Sequence, residues 1–120
     1  IKEKLVKVII KGMQEKKALN IAVLDLRKLE NSVCDYFIIC EGNSNTHVSS
    51  ISDSILKKAL TDLSDKVWHI EGKDKCEWVL LDYVNVVVHI FQKSFREFFS
   101  IEELWGDAKI LKIKESNLNE

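Results

Sequence analysis

The stretch of sequence that decides the fold is Cys76-Glu77-Trp78-Val79-Leu80-Leu81-Asp82-Tyr83-Val84-Asn85-Val86-Val87-Val88-His89-Ile90-Phe91. Valine, isoleucine, leucine and aromatic residues fill nearly every position, which is typical of strands in a largely buried sheet. The pattern predicts two strands joined by a tight turn near Val84 and Asn85. Because side chains alternate along a strand, Trp78, Leu80 and Asp82 share one face of the first strand. So much apolar surface predicts that one hairpin face enters the core and that a helix or a partner covers the other.

The polar residues of this hairpin are its informative exceptions. His89 shares a face of the second strand with Val87 and Phe91, and a buried polar group needs a hydrogen-bond partner. We interpret His89 as a structural histidine in preference to a catalytic one, with Asp82 across the hairpin as one candidate partner. Tyr83 lies on the other face of the first strand.

Patterns along the rest of the chain predict the elements around the hairpin. Apolar residues at helical spacing predict a helix over residues 2–17 and a longer one after Thr46. Apolar runs predict strands over residues 20–26, 35–40 and 67–70, and residues 94–99 form a short helical turn. The first of these strands is apolar throughout, which predicts cover on both faces and parallel neighbours. The order α-β-β-α-β-β-β-α predicts an α/β fold with a mixed five-stranded sheet flanked by helices. It forms one domain over residues 1–106, followed by a C-terminal tail over residues 107–120.

The composition is that of an ordinary globular domain. The chain has 120 residues, of which 46% are hydrophobic and 31% charged, and its formal net charge is −1. This length can bury a core without metal or disulfide staples, and the small net charge predicts no broad basic surface and no sequence-specific nucleic-acid partner. No apolar run is long enough to predict a membrane span. The cysteines Cys34, Cys40 and Cys76 are an odd number without paired spacing, which predicts reduced thiols and a cytoplasmic location.

One turn is a candidate anion site. Gly42-Asn43-Ser44 follows a predicted strand, and backbone N–H groups at a helix N-terminus can hold a phosphate. The turn has neither the lysine nor the glycine spacing of phosphate-binding loops. We therefore interpret it as an ordinary helix N-cap.

The carboxylates do not form the pattern of a nucleotidyltransferase. Such an enzyme needs two or three carboxylates on neighbouring strands to hold a divalent metal. Asp82 has no acidic residue two positions away in its own or a matching strand. Asp25 and Asp35 could join it only by coincidence of folding.

The histidines and cysteines do not form a metal pattern either. His47, His69 and His89 are scattered, and the sequence has no Cys-x-x-Cys pair, so we predict no metal, no cofactor and no enzymatic activity. A nucleophilic pair of Cys40 and His47 stays open, although a buried, inert thiol is favoured.

Aromatic residues are more numerous than one face of a short hairpin can hold. The set comprises Trp78, Tyr83, Phe91, Phe95, Phe98, Phe99 and Trp105. Core filling accounts for some of them, but aromatic residues and arginine also dominate the energetics of protein interfaces. Arg96 lies within the set, and both interpretations, core and docking surface, stay open.

Several motifs, in order and at matching spacing, resemble those of one family. The D-Y-F-h-I-x-x-G-x-S-x-x-x-V signature of the ribosomal silencing factor family (Iojap-related proteins) is matched by residues 35–48, Asp-Tyr-Phe-Ile-Ile-Cys-Glu-Gly-Asn-Ser-Asn-Thr-His-Val. Its E-G pair resembles Glu71-Gly72, its W-h-L-h-D-h-G-D-h-h-V-H-h-F block resembles residues 78–91, and its R-x-F-Y-x-L-E-x-L-W end resembles residues 96–105. The likeness covers most of the chain.

The chain departs from the family pattern at two points. Val84-Asn85 stands where the family usually has Gly-Asp, which leaves the turn type open because glycine best supplies a positive φ. Phe99 stands where a tyrosine is usual, so that a hydroxyl is missing there.

The resemblance implies a fold related to nucleotidyltransferases but catalytically inactive. It implies binding to the large ribosomal subunit through ribosomal protein L-fourteen, on the face that meets the small subunit. A factor bound there blocks subunit joining and represses translation when nutrients are short. The location would be the bacterial cytoplasm, with an organellar homologue that acts in large-subunit maturation as the alternative.

The resemblance and the aromatic surplus together predict a set of docking residues. They are Trp78, Leu80, Asp82, Tyr83, His89, Phe91, Arg96 and Trp105. In this interpretation the aromatic rings fill apolar pockets, Asp82 accepts a hydrogen bond or pairs with a basic group, and Arg96 makes a directional contact. Two alternatives are a nucleotide-binding, nucleotidyltransferase-like protein that uses Gly42, Ser44 and Asp82, and a homodimer formed through the same sheet face.

Overall fold

The computed structural model describes residues 2–29, 34–99 and 109–113. Its elements are α1 (Lys2–Glu15), β1 (Leu19–Asp25), β2 (Tyr36–Gly42), α2 (Asn45–Leu63), β3 (His69–Glu71), β4 (Trp78–Asp82), β5 (Val86–Gln92), α3 (Lys93–Phe99) and β6 (Lys109–Lys112). The first eight follow the predicted order, and the mixed α/β class is confirmed.

The sheet has six strands, in the order β3-β4-β5-β2-β1-β6. β2 and β5 are parallel, and the other neighbours are antiparallel. The predicted number of five strands was therefore wrong, because β6 pairs with β1 from Ala22↔Lys112 to Asp25↔Lys109. The division into a domain over residues 1–106 and a tail over residues 107–120 stays a prediction. All four residues of β6 are exposed. A strand without a buried face need not alternate apolar and polar residues, so the sequence pattern does not reveal it. It is defined by its pairing with β1.

The neighbours of β1 also differ from the prediction. Both are antiparallel, whereas the apolar run had suggested parallel neighbours. The run is apolar because both faces of the strand are covered. Val23 packs into the layer that contains the long helices, and Leu24 packs into a second cluster on the opposite face.

The helices α1 and α2 pack side by side on one face of the sheet. Each buries a stripe at helical spacing, formed by Leu5, Ile9 and Met13 of α1 and by Val48, Ile51, Ile55 and Ala59 of α2. The axes approach closely at Gly12, where an added Cβ would lie 3.1 Å from the Cα of Ile55. Ser54 Oγ donates a hydrogen bond to the Gly12 carbonyl at 2.9 Å. These contacts fix the two helices against each other.

The turn before α2 is a helix N-cap, as predicted. The Ser44 side chain accepts a hydrogen bond from the His47 N–H at 3.1 Å. The backbone N–H of Asn43 donates to Nδ1 of His47 at 2.9 Å. Two of the N–H groups at this turn, those of Asn43 and His47, are therefore already bound within the chain.

The hairpin of β4 and β5 has the predicted alternation. Its register places Asp82 opposite Val87 and Leu80 opposite His89. The proposed pairing of Asp82 with His89 is wrong, because Nδ1 of His89 accepts from Trp78 and its Nε2 has no partner among the described residues. Oδ1 of Asp82 instead accepts a hydrogen bond from the N–H of Val84 at 2.7 Å. Val84 has φ 76°, a conformation that β-branched residues rarely adopt.

No helix within the described residues has the length and hydrophobicity that a membrane crossing requires.

Candidate functional site

The sheet face opposite α1 and α2 carries the candidate site. We call the part formed by Trp78, Leu80 and Asp82 of β4 and by Val87, His89 and Phe91 of β5 the hairpin face. Its inner residues belong to a second apolar cluster with members from β1 and β2, and Trp78, Leu80 and Phe95 of α3 pack against that cluster. Alternation along β4 leaves Trp78, Leu80 and Asp82 partly exposed while Val79 and Leu81 are buried. The hairpin face therefore contains both buried core residues and partly exposed residues that a partner could contact.

The indole of Trp78 is held at the outer side of this face by two contacts. Its Nε1–H donates a hydrogen bond to Nδ1 of His89 at 3.1 Å. Its rings stack on Phe91 with 5.0 Å between centroids and 26° between planes. Phe91 is fully buried. It therefore packs against the inner side of the Trp78 rings and has no accessible surface of its own.

His89 is a buried, neutral histidine. Only 3% of the residue is exposed, and this burial lowers the pKa of its imidazole from 6.5 to about 4. Because Nδ1 accepts from Trp78, the proton of the neutral ring lies on Nε2. Nε2 has no hydrogen-bond partner among the described residues. The structural interpretation of His89 is supported, with Trp78 as its partner in place of Asp82.

Arg96 ties α3 to the sheet. Its guanidinium donates to Oε1 of Glu41 at 3.3 Å and to the carbonyl of Asn20. The side chains of Arg96 and Glu41 are only 10% and 7% exposed. These two contacts connect α3 with β2 and with β1. The structure gives Arg96 contacts within the domain, and the directional contact to a partner that the sequence suggested stays a prediction.

The remaining predicted docking residues lie elsewhere. The side chain of Tyr83 is buried on the helix side of the sheet, and burial raises the pKa of its phenol to about 12. Tyr83 therefore cannot share a surface with Trp78. Trp105 lies outside the described residues. Of the eight predicted residues, Trp78, Leu80 and Asp82 are brought together with accessible surface.

The edge strand β3 extends the hairpin face. In the register with β4, His69 lies opposite Asp82 and Glu71 opposite Leu80, so both point to this face. His69 Nε2 and Glu71 Oε1 lie 3.0 Å apart, and both side chains are exposed. Two carboxylates, those of Asp82 and Glu71, thus lie on the same face as Leu80 and border the apolar centre formed by Trp78 and Leu80 on one side.

Trp68 is an exposed aromatic residue that the sequence analysis missed. It is 72% exposed and its rings lie 5.9 Å from the ring of His69. The pattern had suggested a short strand over residues 67–70, whereas β3 begins at His69, after Trp68. A tryptophan next to a very short strand could have indicated an exposed aromatic residue. The exposure of Trp68, however, depends on β3 being the edge strand of the sheet, which the sequence does not show.

The described residues contain no catalytic arrangement of the kinds considered. No group of three or more His, Cys, Asp or Glu side chains among them could hold a metal ion. Asp25 lies on β1, with β2 and β5 between it and Asp82 on β4, and its ion pair with Arg27 lowers its pKa to about 2. Two carboxylates this far apart cannot share a metal.

Cys40 and His47 do not form a nucleophilic pair. Cys40 is fully buried, and burial raises the pKa of its thiol. Both ring nitrogens of His47 are engaged, Nδ1 with the N–H of Asn43 and Nε2 with the carbonyl of Lys16 at 2.7 Å. The inert-thiol interpretation is supported.

The fold and this face define a mixed α/β domain with a partly exposed apolar sheet face bordered by carboxylates. A family model described as "Ribosomal silencing factor during starvation" matches residues 1–120. The chain therefore belongs to the ribosomal silencing factor family, as its motifs had indicated.

Relatives and a solved structure agree with this assignment. A Bacillus subtilis protein named "Ribosomal silencing factor RsfS" is 38% identical over 88% of this chain and 88% of its own length. A protein of the same name from Halalkalibacterium halodurans is 32% identical over 93% of this chain and 94% of its own. A crystal structure of a Chromobacterium violaceum protein superposes with a TM-score of 0.81 at 33% identity, over 87% of this chain and 85% of that one.

Proposed function

We propose that this protein is a non-enzymatic repressor of translation that binds the large ribosomal subunit and prevents the small subunit from joining. The observation that carries the proposal is the family match over the whole chain. Ribosomal protein L-fourteen is the proposed contact, in the bacterial cytoplasm or in an organelle. Binding alone suffices for this mechanism, because a domain whose extents are 36 × 33 × 31 Å occupies space that the small subunit needs.

The hairpin face has the chemistry of a protein interface. Trp78 and Leu80 supply a small apolar centre, and tryptophan anchors of this kind contribute most to interface affinity. Asp82 and Glu71 border that centre with negative charge. A basic ribosomal protein is an electrostatically complementary partner, and charges at the rim chiefly raise the association rate and select the partner.

Pre-organisation supports the same assignment. The hydrogen bond to His89 and the stacking on Phe91 hold Trp78 in one orientation before any partner arrives. A side chain that is already ordered loses less entropy on binding. Trp78 is therefore the residue on which we expect affinity to depend most.

Co-sedimentation with isolated large and small ribosomal subunits tests the proposal. We expect retention on the large subunit alone and fewer joined ribosomes. Leu80→Lys should abolish retention by placing a cation in the apolar centre, whereas Leu111→Lys, at the opposite edge of the sheet, should not. Leu111 is 61% exposed and serves as the matched control. If the unmodified protein stays in the supernatant with both subunits, the proposed function is wrong.

The alternatives have separate tests. A nucleotidyltransferase-like protein would bind a nucleotide with a divalent metal, and calorimetry with nucleotide and Mg²⁺ should show no heat of binding. A homodimer formed through the hairpin face would appear as twice the 13.9 kDa chain mass in light scattering. Leu80→Lys should then return the protein to the mass of one chain.

A further inference from the structure

The charges of this chain are divided unevenly between its first helix and the rest. Residues 1–17 contain six lysines and two glutamates, a formal charge of +4. Because the whole chain carries −1, all the other residues together carry −5. The small net charge therefore hides a basic segment of the kind that marks a polyanion partner.

The helix α1 presents three of these six lysines as a row. Lys4, Lys7 and Lys11 are all exposed, and their spacing of three and four residues places them on one side of the helix, about 5 Å apart along its axis. The opposite side of α1 is the buried stripe that contains Leu5 and Ile9. Packing on the sheet therefore fixes the direction in which the row points.

A depression between α1 and α2 carries further lysines. This depression, of about 270 Å³, is lined by Lys16 and by Lys57, Lys58, Ser54, Thr61 and Glu15. Lys58 lies 3.2 Å from Glu15 and 3.7 Å from Asp62. The acidic group in the depression is thus already paired with one of its three lysines.

Five lysines of α1 and of this depression have no acidic partner among the side chains that the structure describes. Among the residues that the structure describes, no ion pair includes Lys4, Lys7, Lys11, Lys16 or Lys57. We call these five residues the lysine face. Uncompensated positive charges repel one another, and a regularly charged polyanion is the ligand that removes the repulsion and gains from counterion release.

We infer that the lysine face binds the phosphate backbone of RNA without reading its sequence. Exposed ammonium groups match single phosphates as point charges, and a lysine carries no planar pair of donors that could read a base edge. The lysine face lies on α1 and α2, across the sheet from the hairpin face. RNA can therefore be bound there while the hairpin face holds a protein.

Fluorescence anisotropy with a labelled RNA of mixed sequence tests the inference, using the full chain without ribosomes. The test variant is Lys4→Glu/Lys7→Glu/Lys11→Glu. The control is Lys28→Glu/Lys93→Glu/Lys112→Glu, which makes the same charge change at three exposed lysines outside α1 and α2. Glutamate and lysine have similar helix propensities, and circular dichroism verifies that both variants fold.

We expect the unmodified protein to bind RNA at low salt, with an affinity that falls as salt rises. The test variant should lose at least about tenfold in affinity, and the slope of log affinity against log salt should shrink by about 2, since each phosphate contact contributes about 0.7 to 0.9. The control should retain most of the affinity. An equal loss in both variants, or no binding by the unmodified protein, would overturn the inference and leave the proposed subunit binding untouched.

Discussion

The indole N–H of Trp78 and Nδ1 of His89 are joined by a 3.1 Å hydrogen bond across β4 and β5. This bond links a partly exposed aromatic ring to a buried imidazole. It fixes the tautomer of His89 and the orientation of Trp78 at once. The stability of the domain and the shape of its candidate docking surface therefore depend on the same pair of residues.

Loss of this bond should destabilise the domain. Trp78→Phe keeps an aromatic ring over Phe91 but leaves Nδ1 of His89 buried without a donor, so we expect a cost of about 1 to 2 kcal/mol in the free energy of unfolding. Urea denaturation measures it. Trp68→Phe is the matched control, because Trp68 is 72% exposed and its replacement should change stability by less than about 0.5 kcal/mol. Equal effects of the two replacements would contradict the assignment.

Burial of neutral His89 should make stability depend on pH between about 4 and 6.5. The pKa of His89 is about 4 in the folded chain against 6.5 for an unperturbed histidine, so the unfolded chain takes up the proton first as pH falls. The contribution of His89 is therefore complete above pH 6.5 and is lost progressively towards pH 4, by about 3 kcal/mol in all.

Urea denaturation at a series of pH values tests this dependence. His89→Asn keeps an acceptor near the position of Nδ1 and removes the titration, so its stability curve should be flatter between pH 4 and 6.5, whatever its absolute stability. The ring protons of His89 in NMR spectra give the pKa directly. A midpoint near 6.5 for that ring would rule out this explanation.

The buried pair of Arg96 and Glu41 should show strong coupling. Arg96→Met leaves the Glu41 carboxylate buried without its cation, which we expect to cost about 3 kcal/mol. The double variant Glu41→Gln/Arg96→Met removes both charges and should be more stable than Arg96→Met alone. A double-mutant cycle by urea denaturation measures this coupling. Additive effects of the two substitutions would show that the pair does not act as a unit.

The turn of the hairpin is a site where one substitution should stabilise the protein. Val84 has φ 76° and is 57% exposed, so Val84→Gly relieves backbone strain without removing a buried side chain. We expect a gain of about 1 kcal/mol, because relief of an unfavourable φ of this kind outweighs the entropy that glycine adds to the unfolded chain. Asn85→Gly, at the neighbouring residue, is the control. If thermal unfolding gives a lower midpoint for Val84→Gly than for the unmodified protein, Val84 is not a site of backbone strain.

The sequence by itself determined the parts that depend on neighbours along the chain. The alternation of Trp78, Leu80 and Asp82 determined one face of β4, and the turn Gly42-Asn43-Ser44 indicated the N-cap of α2, which the structure places at Ser44. Both follow from periods and hydrogen bonds that span only a few residues. The family was also evident from local motifs in order.

Only the tertiary structure decided which residues meet across the chain. It paired β6 with β1 and placed Trp78 within hydrogen-bond distance of His89. It also buried Arg96 against Glu41 and left Trp68 exposed at the edge of the sheet. None of these contacts has a local signature, because each depends on the order in which distant strands join the sheet. The accessible part of the candidate site was set in the same way, since cover by α3 and the position of β3 decide which aromatic rings stay exposed.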